Sequence, residues 1–493
     1  MGDFMELDTS VDKILDKVSK MNGNSSDIVT RIIEKGSNKI GYIFLESVCS
    51  DDKISDFLNK SIVNLDKKKL FDSFYNLVKN SIFNSNMNFC ENYDDLFYYL
   101  SSGYTVILID GSKKAIVVET KDTLDRGVSE ASSEPIIRGP KDSFTENHNK
   151  NLGLIRKRIK DPNLWFKDTK VGTRTKTKVT VAFIKDIANN KHVEQVIKEL
   201  KKINIDGIID SGYIRELLEK KQKSLFPKMI STERPDLACT SLLNGKIIIL
   251  VENTPFVLIL PAVLSDFFHS PQDYYEKPFN STFSRILRLI CFFLALVTPA
   301  LYVALMTFNH EVIPDQLLIS LAIQRDGVPF PTFIEVLLFV VTFEMLREAD
   351  IHAPSFSGSA MNIVGALILG DAAVAAGIVS PIVIIIVATT SISELVFYDI
   401  DVVDALREWR IIFLIAATIL GLIGVVVAFI VFIAKLASME SLGIDYLTPI
   451  SPLKINSLKD NIIRLSRKKL KTRPEFLTNN ITRMRDTNEE NNN

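Results

Sequence analysis

The chain has 493 residues, is 47% hydrophobic and carries 58 Lys and Arg against 59 Asp and Glu, for a formal net charge of -1. That balance excludes a disordered chain and a nucleic-acid binder dominated by one sign of charge, and the length allows two to four folding units. Cys49, Cys90, Cys239 and Cys291 form no CxxC pair and no even framework, which indicates neither a zinc site nor a disulfide scaffold and fits a reducing compartment.

Residues 1–35 are polar and weakly patterned and read as a flexible lead. Met1–Asp8 lacks the basic and apolar regions of a signal peptide, so the leading segment is placed in the cytoplasm. Residues 36–135 read as a first α+β subdomain. Tyr42–Leu45 is a predicted strand, 51–64 an amphipathic helix and Leu96–Leu100 a short helix, while Thr105–Ile109 and Ala115–Glu119 are strands joined by an Asp110-Gly111-Ser112 turn.

Residues 136–284 read as a second, α/β subdomain. The pattern predicts a strand at Val179–Ile184, a helix at His192–Lys202 and a strand at Gly207–Ile209, hence a βαβ unit. Lys246–Val251 and Pro255–Leu260 add a strand pair, the first too short to span a bilayer.

From 285 to 440 the chain reads as an all-α polytopic membrane domain, so the fold class is a two-subdomain α+β cytoplasmic part followed by membrane helices. Leu289–Phe308 supplies the ~20 apolar residues a bilayer core requires, flanked by Arg285 and Arg288. Ile411–Ala434 reads as a continuous last span, with Gly421 and Gly424 on a small packing face. Phe333–Leu346 and Ile378–Leu395 are shorter candidates. A basic tail follows at 441–493, and with the leading part also cytoplasmic the number of crossings is even. Four are predicted, and the Gly- and Ala-rich stretch 362–377 leaves a fifth open.

Between Arg285 and Leu453 there are seven Lys and Arg against fifteen Asp and Glu, so an aqueous path through this part would favour cations. Glu335, Glu344, Asp371 and Glu394 lie in or beside apolar runs, where an unpaired charge costs several kcal/mol. Glu344 has Arg347 at i+3 and reads as a local ion pair at the membrane surface. Glu335, beside the Pro329–Pro331 turn, has no basic neighbour at helical spacing and reads as wet or pore-facing. Asp371 fits either a pair with a neighbouring helix or a pore wall. Asn362 opens the same stretch, and Leu367 within it is a candidate apolar gate. Pro329, Pro331, Pro354 and Pro381 break the helices, which favours a bundle with a cavity over a lone anchor.

No P-loop, GxSxG, HExxH or dinucleotide fingerprint is present, and His148, His192, His269, His310 and His352 are dispersed. No enzyme activity, cofactor or metal is expected.

Ordered blocks along residues 40–455 carry a resemblance. They are Arg138–Glu146 with Asn151 and Leu154–Arg158, then Thr232–Asp236, Asp273–Tyr275 and Ser284–Arg288. In the membrane part they are Gly327–Pro331 with Glu335, Phe343–Ala349, Ile363–Ala366, Gly370 with Ala372–Val374, Gly377 with Ser380-Pro381, and Leu442–Leu447. In these the chain resembles the A subunit of GerA-type spore germinant receptors. It departs from the family pattern at Asp371, where Gln is expected, at Asp350, where Gly is usual, and at Glu252-Asn253, where Asp-Gly is common.

The resemblance implies a spore inner-membrane protein that partners a transporter-like B subunit and a lipoprotein C subunit. It also implies a homo-oligomeric ring, a pentamer, forming a germinant-gated channel for monovalent cations. Two alternatives stand beside it: a non-conducting scaffold for the receptor, and the related sporulation protein VAF-type channel that amplifies germination.

Overall fold

The computed structural model describes residues 5–35, 38–50, 52–55, 87–121, 131, 133–219, 225–352, 370–458, 460–478 and 480–483. The chain forms two units. One comprises Met1–Gln222, Met229–Ala262 and Ser466–Asn493, the other Lys223–Lys228 and Val263–Leu465.

The first unit begins with α1 (Val11–Met21), which turns Val11, Ile14, Leu15 and Val18 to one buried face. Strand β1 (Ile28–Lys35) follows, then β2 (Asn38–Leu45), β3 (Met87–Cys90), α2 (Tyr93–Ser101), β4 (Tyr104–Ile109) and β5 (Ala115–Glu119). The strands pair antiparallel in the order β1-β2-β4-β5-β3. The expected flexible lead is therefore corrected: α1 shares a core with Ile43, Leu45, Leu96 and Val106, and burying its apolar face orders it. Of the helix predicted at 51–64, residues 52–55 are helical and the rest lies outside the described residues.

A second sheet contains β6 (Leu164–Val171), β7 (Thr177–Ile184), β8 (Ile230–Thr232), β9 (Ile247–Val251) and β10 (Val257–Leu260), in the order β6-β7-β9-β10-β8. All its pairs are antiparallel. The helices of this part are α3 (His148–Arg158), α4 (Asn190–Lys202), α5 (Ser211–Glu219) and α6 (Pro235–Leu243). Leu152 and Ile155 of α3 and Ala238 and Leu242 of α6 pack on Ala182, Ile184, Ile248 and Leu250. Burial of both sheet faces explains the unbroken apolar run of β9.

The predicted βαβ unit does not form. The 207–209 segment after α4 is held by side chains instead: Thr177 Oγ1 donates to the Ile208 carbonyl at 2.8 Å and Thr175 Oγ1 accepts from the Ile208 N–H at 3.1 Å.

A buried ion pair joins the two sheets. Arg156 Nε and Nη2 donate to Asp27 Oδ2 and Oδ1 at 2.8 and 3.0 Å, and the guanidinium carbon sits 4.6 Å from the Phe166 ring centre. Ser25 bridges them, its hydroxyl donating to Asp27 and accepting from the Phe166 N–H. The chain end also returns to this unit. Leu477 and Thr478 are buried and Arg473 Nε donates to the Leu243 carbonyl, so residues 466–478 of the expected tail pack on this unit while 441–465 belongs to the other.

The second unit is helical: α7 (Pro278–Thr307), α8 (Asp315–Arg325), α9 (Thr332–His352), α10 (Pro381–Glu394) and α11 (Ile400–Ala437). Two of these, α7 and α11, are long and apolar enough to cross a membrane. The predicted continuous last span is corrected here. At Gly421 the backbone takes φ 60°, ψ -138°, and the chain reverses, so α11 is a hairpin of two antiparallel arms, 400–420 and 422–437.

Three contacts establish the reversal. The rings of Trp409 and Phe432 lie 5.0 Å apart, whereas 23 residues of straight helix would separate them by about 34 Å. Phe413 meets Phe432 at 6.1 Å. A Cβ on Gly424 would stand 2.0 Å from the Ala416 carbonyl, so the arms touch backbone to backbone beside the turn. Asn309, just past the end of α7, caps the returning arm, its Oδ1 accepting from the Leu422 N–H at 3.1 Å.

Phe292, midway along α7, meets Phe397, just before the hairpin, and Phe432 on its returning arm, each at 6.2 Å between ring centres, so the two open ends of the hairpin lie on the same side of its tip. That tip lies by Asn309, at the end of α7.

Charged clusters and candidate ion-path residues of the helical unit

The α7 helix begins in a buried cluster. Asp273 accepts from Arg285 Nε at 3.1 Å and from Arg288 Nη1 and Nη2 at 2.8 and 3.0 Å. Arg285 Nη1 also donates to the Asp460 carbonyl at 2.6 Å, beside His269, whose Nε2 lies 2.7 Å from the Asn461 carbonyl. Burial pushes the Asp273 carboxyl up, but the Arg288 hydrogen bonds and charge, the Ser270 N–H and Arg285 outweigh it and hold the group below the usual carboxylate range. Burial, reinforced by the Arg285 charge, pushes His269 down to about 4. Two sequence blocks far from the chain end thus meet the segment that follows the hairpin.

A second cluster joins three helices. Glu344 on α9 lies 2.8 Å from Arg407 and 2.8 Å from Arg410, both on α11. Arg410 also holds Glu394 at the end of α10. Arg407 pairs with Asp404 at 2.7 Å. Arg347 reaches Glu344 at 3.5 Å and Asp404 at 3.4 Å. Three guanidinium groups thus face three carboxylates. Arg347 is the partner that spacing suggests, but the shorter contacts of Glu344 come from residues more than sixty positions away, which no local pattern reveals. The available signal was Arg410 itself, a cation at the edge of an apolar run.

Glu335 is completely buried in this chain. Its Oε1 accepts from the Ser380 N–H at 2.6 Å and from the Ser380 hydroxyl, and its Oε2 lies 3.6 Å from Arg325 Nε. The basic partner sits on α8 and not on the helix of Glu335, and the side chain is fully buried in the single chain. Val336 and Phe339 of the same helix and Val379 and Val383 beside Ser380 belong to one buried apolar cluster.

Because α9 and α10 meet at Glu335–Ser380 near their starts and at Arg410 near their ends, they run parallel.

Asp371 is exposed. Among the described residues it has no hydrogen-bond or ion-pair partner. It lies in a helical stretch, 370–375, that ends in a Schellman turn: Gly377, at φ 66°, donates to the Val374 carbonyl and Ile378 to the Ala373 carbonyl, both at 2.9 Å. Asn362, Leu367 and Pro354 lie outside the described residues. Pro329 and Pro331 precede α9, and Pro381 is the first residue of α10.

The clusters at Asp273 and Glu335 are built from the blocks on which the sequence resemblance rests. Residues 16–476 match the family described as GerA: Bacillus/Clostridium GerA spore germination protein. The chain belongs to the GerA family. It is 37% identical over 475 residues to spore germination protein KA of Bacillus subtilis (strain 168), covering 96% of this chain and 87% of that one. It is 34% identical over 474 residues to spore germination protein B1 of the same organism, covering 95% and 98%. The crystal structure of the N-terminal domain of the A subunit of the Bacillus megaterium spore germinant receptor GerK3 is 32% identical and covers 53% of this chain and 98% of that one, with a TM-score of 0.42. This GerA-family chain is thus a spore germination protein of the A-subunit type, a receptor component with membrane-spanning helices and not a catalytic enzyme.

Proposed function

We propose that this GerA-family chain is the A subunit of a nutrient-germinant receptor in the spore inner membrane. Copies of it form a ring that conducts monovalent cations when germinant binds, alongside a transporter-like B subunit and a lipoprotein C subunit. The observation that carries the channel reading is the exposed, unpartnered Asp371 among the described residues, set in an Ala-rich helical stretch. Of the four acids in or beside the apolar runs, Glu335, Glu344 and Glu394 are engaged by arginine, which leaves Asp371, among the described residues, as the one able to set a cation preference around a ring axis.

The arrangement of the helical unit supports a cytoplasmic soluble part. Arg285, Arg288, Arg347, Arg407, Arg410 and Lys435 lie toward the end of the helices where α7 starts, and Arg325 toward the other, a distribution that favours the first end as the inner one. A scaffold role has its own support in the same ion pairs, because carboxylates saturated by arginine bind helices together and carry no ions.

The test is potassium efflux from loaded liposomes containing the purified chain, alone and with its partner subunits plus nutrient. Native protein should release potassium and Asp371→Asn should release it severalfold more slowly. Equal release by both removes Asp371 from the path, and no release from the complete receptor transfers the assignment to the scaffold.

A further inference from the structure

Glu335 is an ionisable residue inside a membrane unit, which by default marks an ion path. Its surroundings point elsewhere. Oε1 accepts two hydrogen bonds from Ser380, the residue that caps the start of α10, so the carboxylate closes the N-terminus of another helix where the backbone dipole favours negative charge. Oε2 faces Arg325 at 3.6 Å, which neutralises it, and no part of the side chain is exposed. Three residues before Ser380, the Schellman turn at Gly377 fixes the end of the stretch that carries Asp371. The turn and the Glu335 cap together make a rigid corner of residues 373–381.

We propose that Glu335 is a positioning residue: it pins the corner between the Asp371 stretch and α10, and thereby sets where Asp371 stands, without itself lining the ion path. The proposal rests on the channel reading for its functional meaning, while the pin itself is a statement about structure.

The amide of Glu335→Gln still accepts from Ser380, whereas Glu335→Leu cannot. Each is combined with Asp371→Cys in a chain whose four native cysteines are replaced. The rate at which a water-soluble reagent modifies the introduced thiol is then measured, together with the melting temperature in detergent. The Leu variant should change the modification rate about tenfold and melt about 5 °C lower, by the scale that relates stability to melting temperature. The Gln variant should keep the native rate. Should Glu335→Leu leave both quantities unchanged, there is no pin, and Ser380→Ala, which removes one of the two bonds, serves as a milder check if the Leu variant fails to fold. In the liposome assay, Glu335→Gln should keep the potassium release rate of the native protein. A fall as large as that of Asp371→Asn would place Glu335 in the path and overturn the assignment. If no protein conducts, the channel reading fails, and the thiol and melting measurements still decide the pin.

Discussion

The Arg410 guanidinium lies 2.8 Å from the Glu344 carboxylate and at the same time holds Glu394, so one side chain from the hairpin ties α9 to α10. Arg410 and Glu394 are both buried. A charge removed from such a group leaves its partner buried and uncompensated, which costs more than the pair itself contributes.

Arg410→Met should therefore destabilise the protein by about 3 kcal/mol, since it strands Glu394. The double variant Arg410→Met with Glu394→Gln should recover part of that loss. Denaturant melts of the purified protein in detergent measure both, and a double variant as unstable as the single one would show that the pair is not the source of the effect.

The hairpin predicts a cross-link that a straight helix forbids. In a chain freed of native cysteines, Phe413→Cys and Phe432→Cys should be joined within one molecule by a short bifunctional thiol reagent, because their rings lie 6.1 Å apart. In a continuous helix the same positions would stand about 28 Å apart and stay unlinked. Gly421→Ala should also lower expression or melting temperature, because its Cβ would stand 2.8 Å from Asn309 Oδ1 at a positive φ.

Arg156→Lys should weaken the junction between the two sheets although the charge is kept. Lysine offers a single ammonium in place of the fork that holds both Asp27 oxygens, and it loses the stacking on Phe166. A loss of about 3 kcal/mol is expected in denaturant melts, and a native-like midpoint would show that the fork is dispensable.

His148 gives the soluble unit a pH dependence. Burial, with the nearby Lys178 charge, pushes its imidazole down to about 4, and its Nε2 sits 2.7 Å from the Thr180 hydroxyl, which donates to Asp168. The folded chain therefore takes up this proton later than the unfolded chain as pH falls. Its contribution is complete above about 6.5 and is lost between there and about 4, to a total of about 3 kcal/mol. His148→Gln, which can still donate to Thr180, should flatten the fall in melting temperature between pH 7 and pH 5. An identical slope in both proteins would assign the dependence to other groups.

Much of the molecule was legible without coordinates wherever a few consecutive residues decide the outcome. The strands at Thr105–Ile109, Ala115–Glu119 and Ile247–Val251 and the existence of the first apolar span follow from side-chain period and length, and the ordered blocks named the family. What only the tertiary structure decided involves residues distant along the chain. The last apolar run looks uninterrupted because hydropathy has no direction, and only the φ of Gly421 and the meeting of Trp409 with Phe432 reveal that it turns back. Glu344 found arginines more than sixty positions away. Glu335, with no basic neighbour at helical spacing, proved dry because folding brought Ser380 and Arg325 to it. The residues by themselves determined which groups would be costly to bury in a membrane, and the fold determined which partners relieve that cost, since compensation of a buried charge is set by distance in space and not by spacing along the chain.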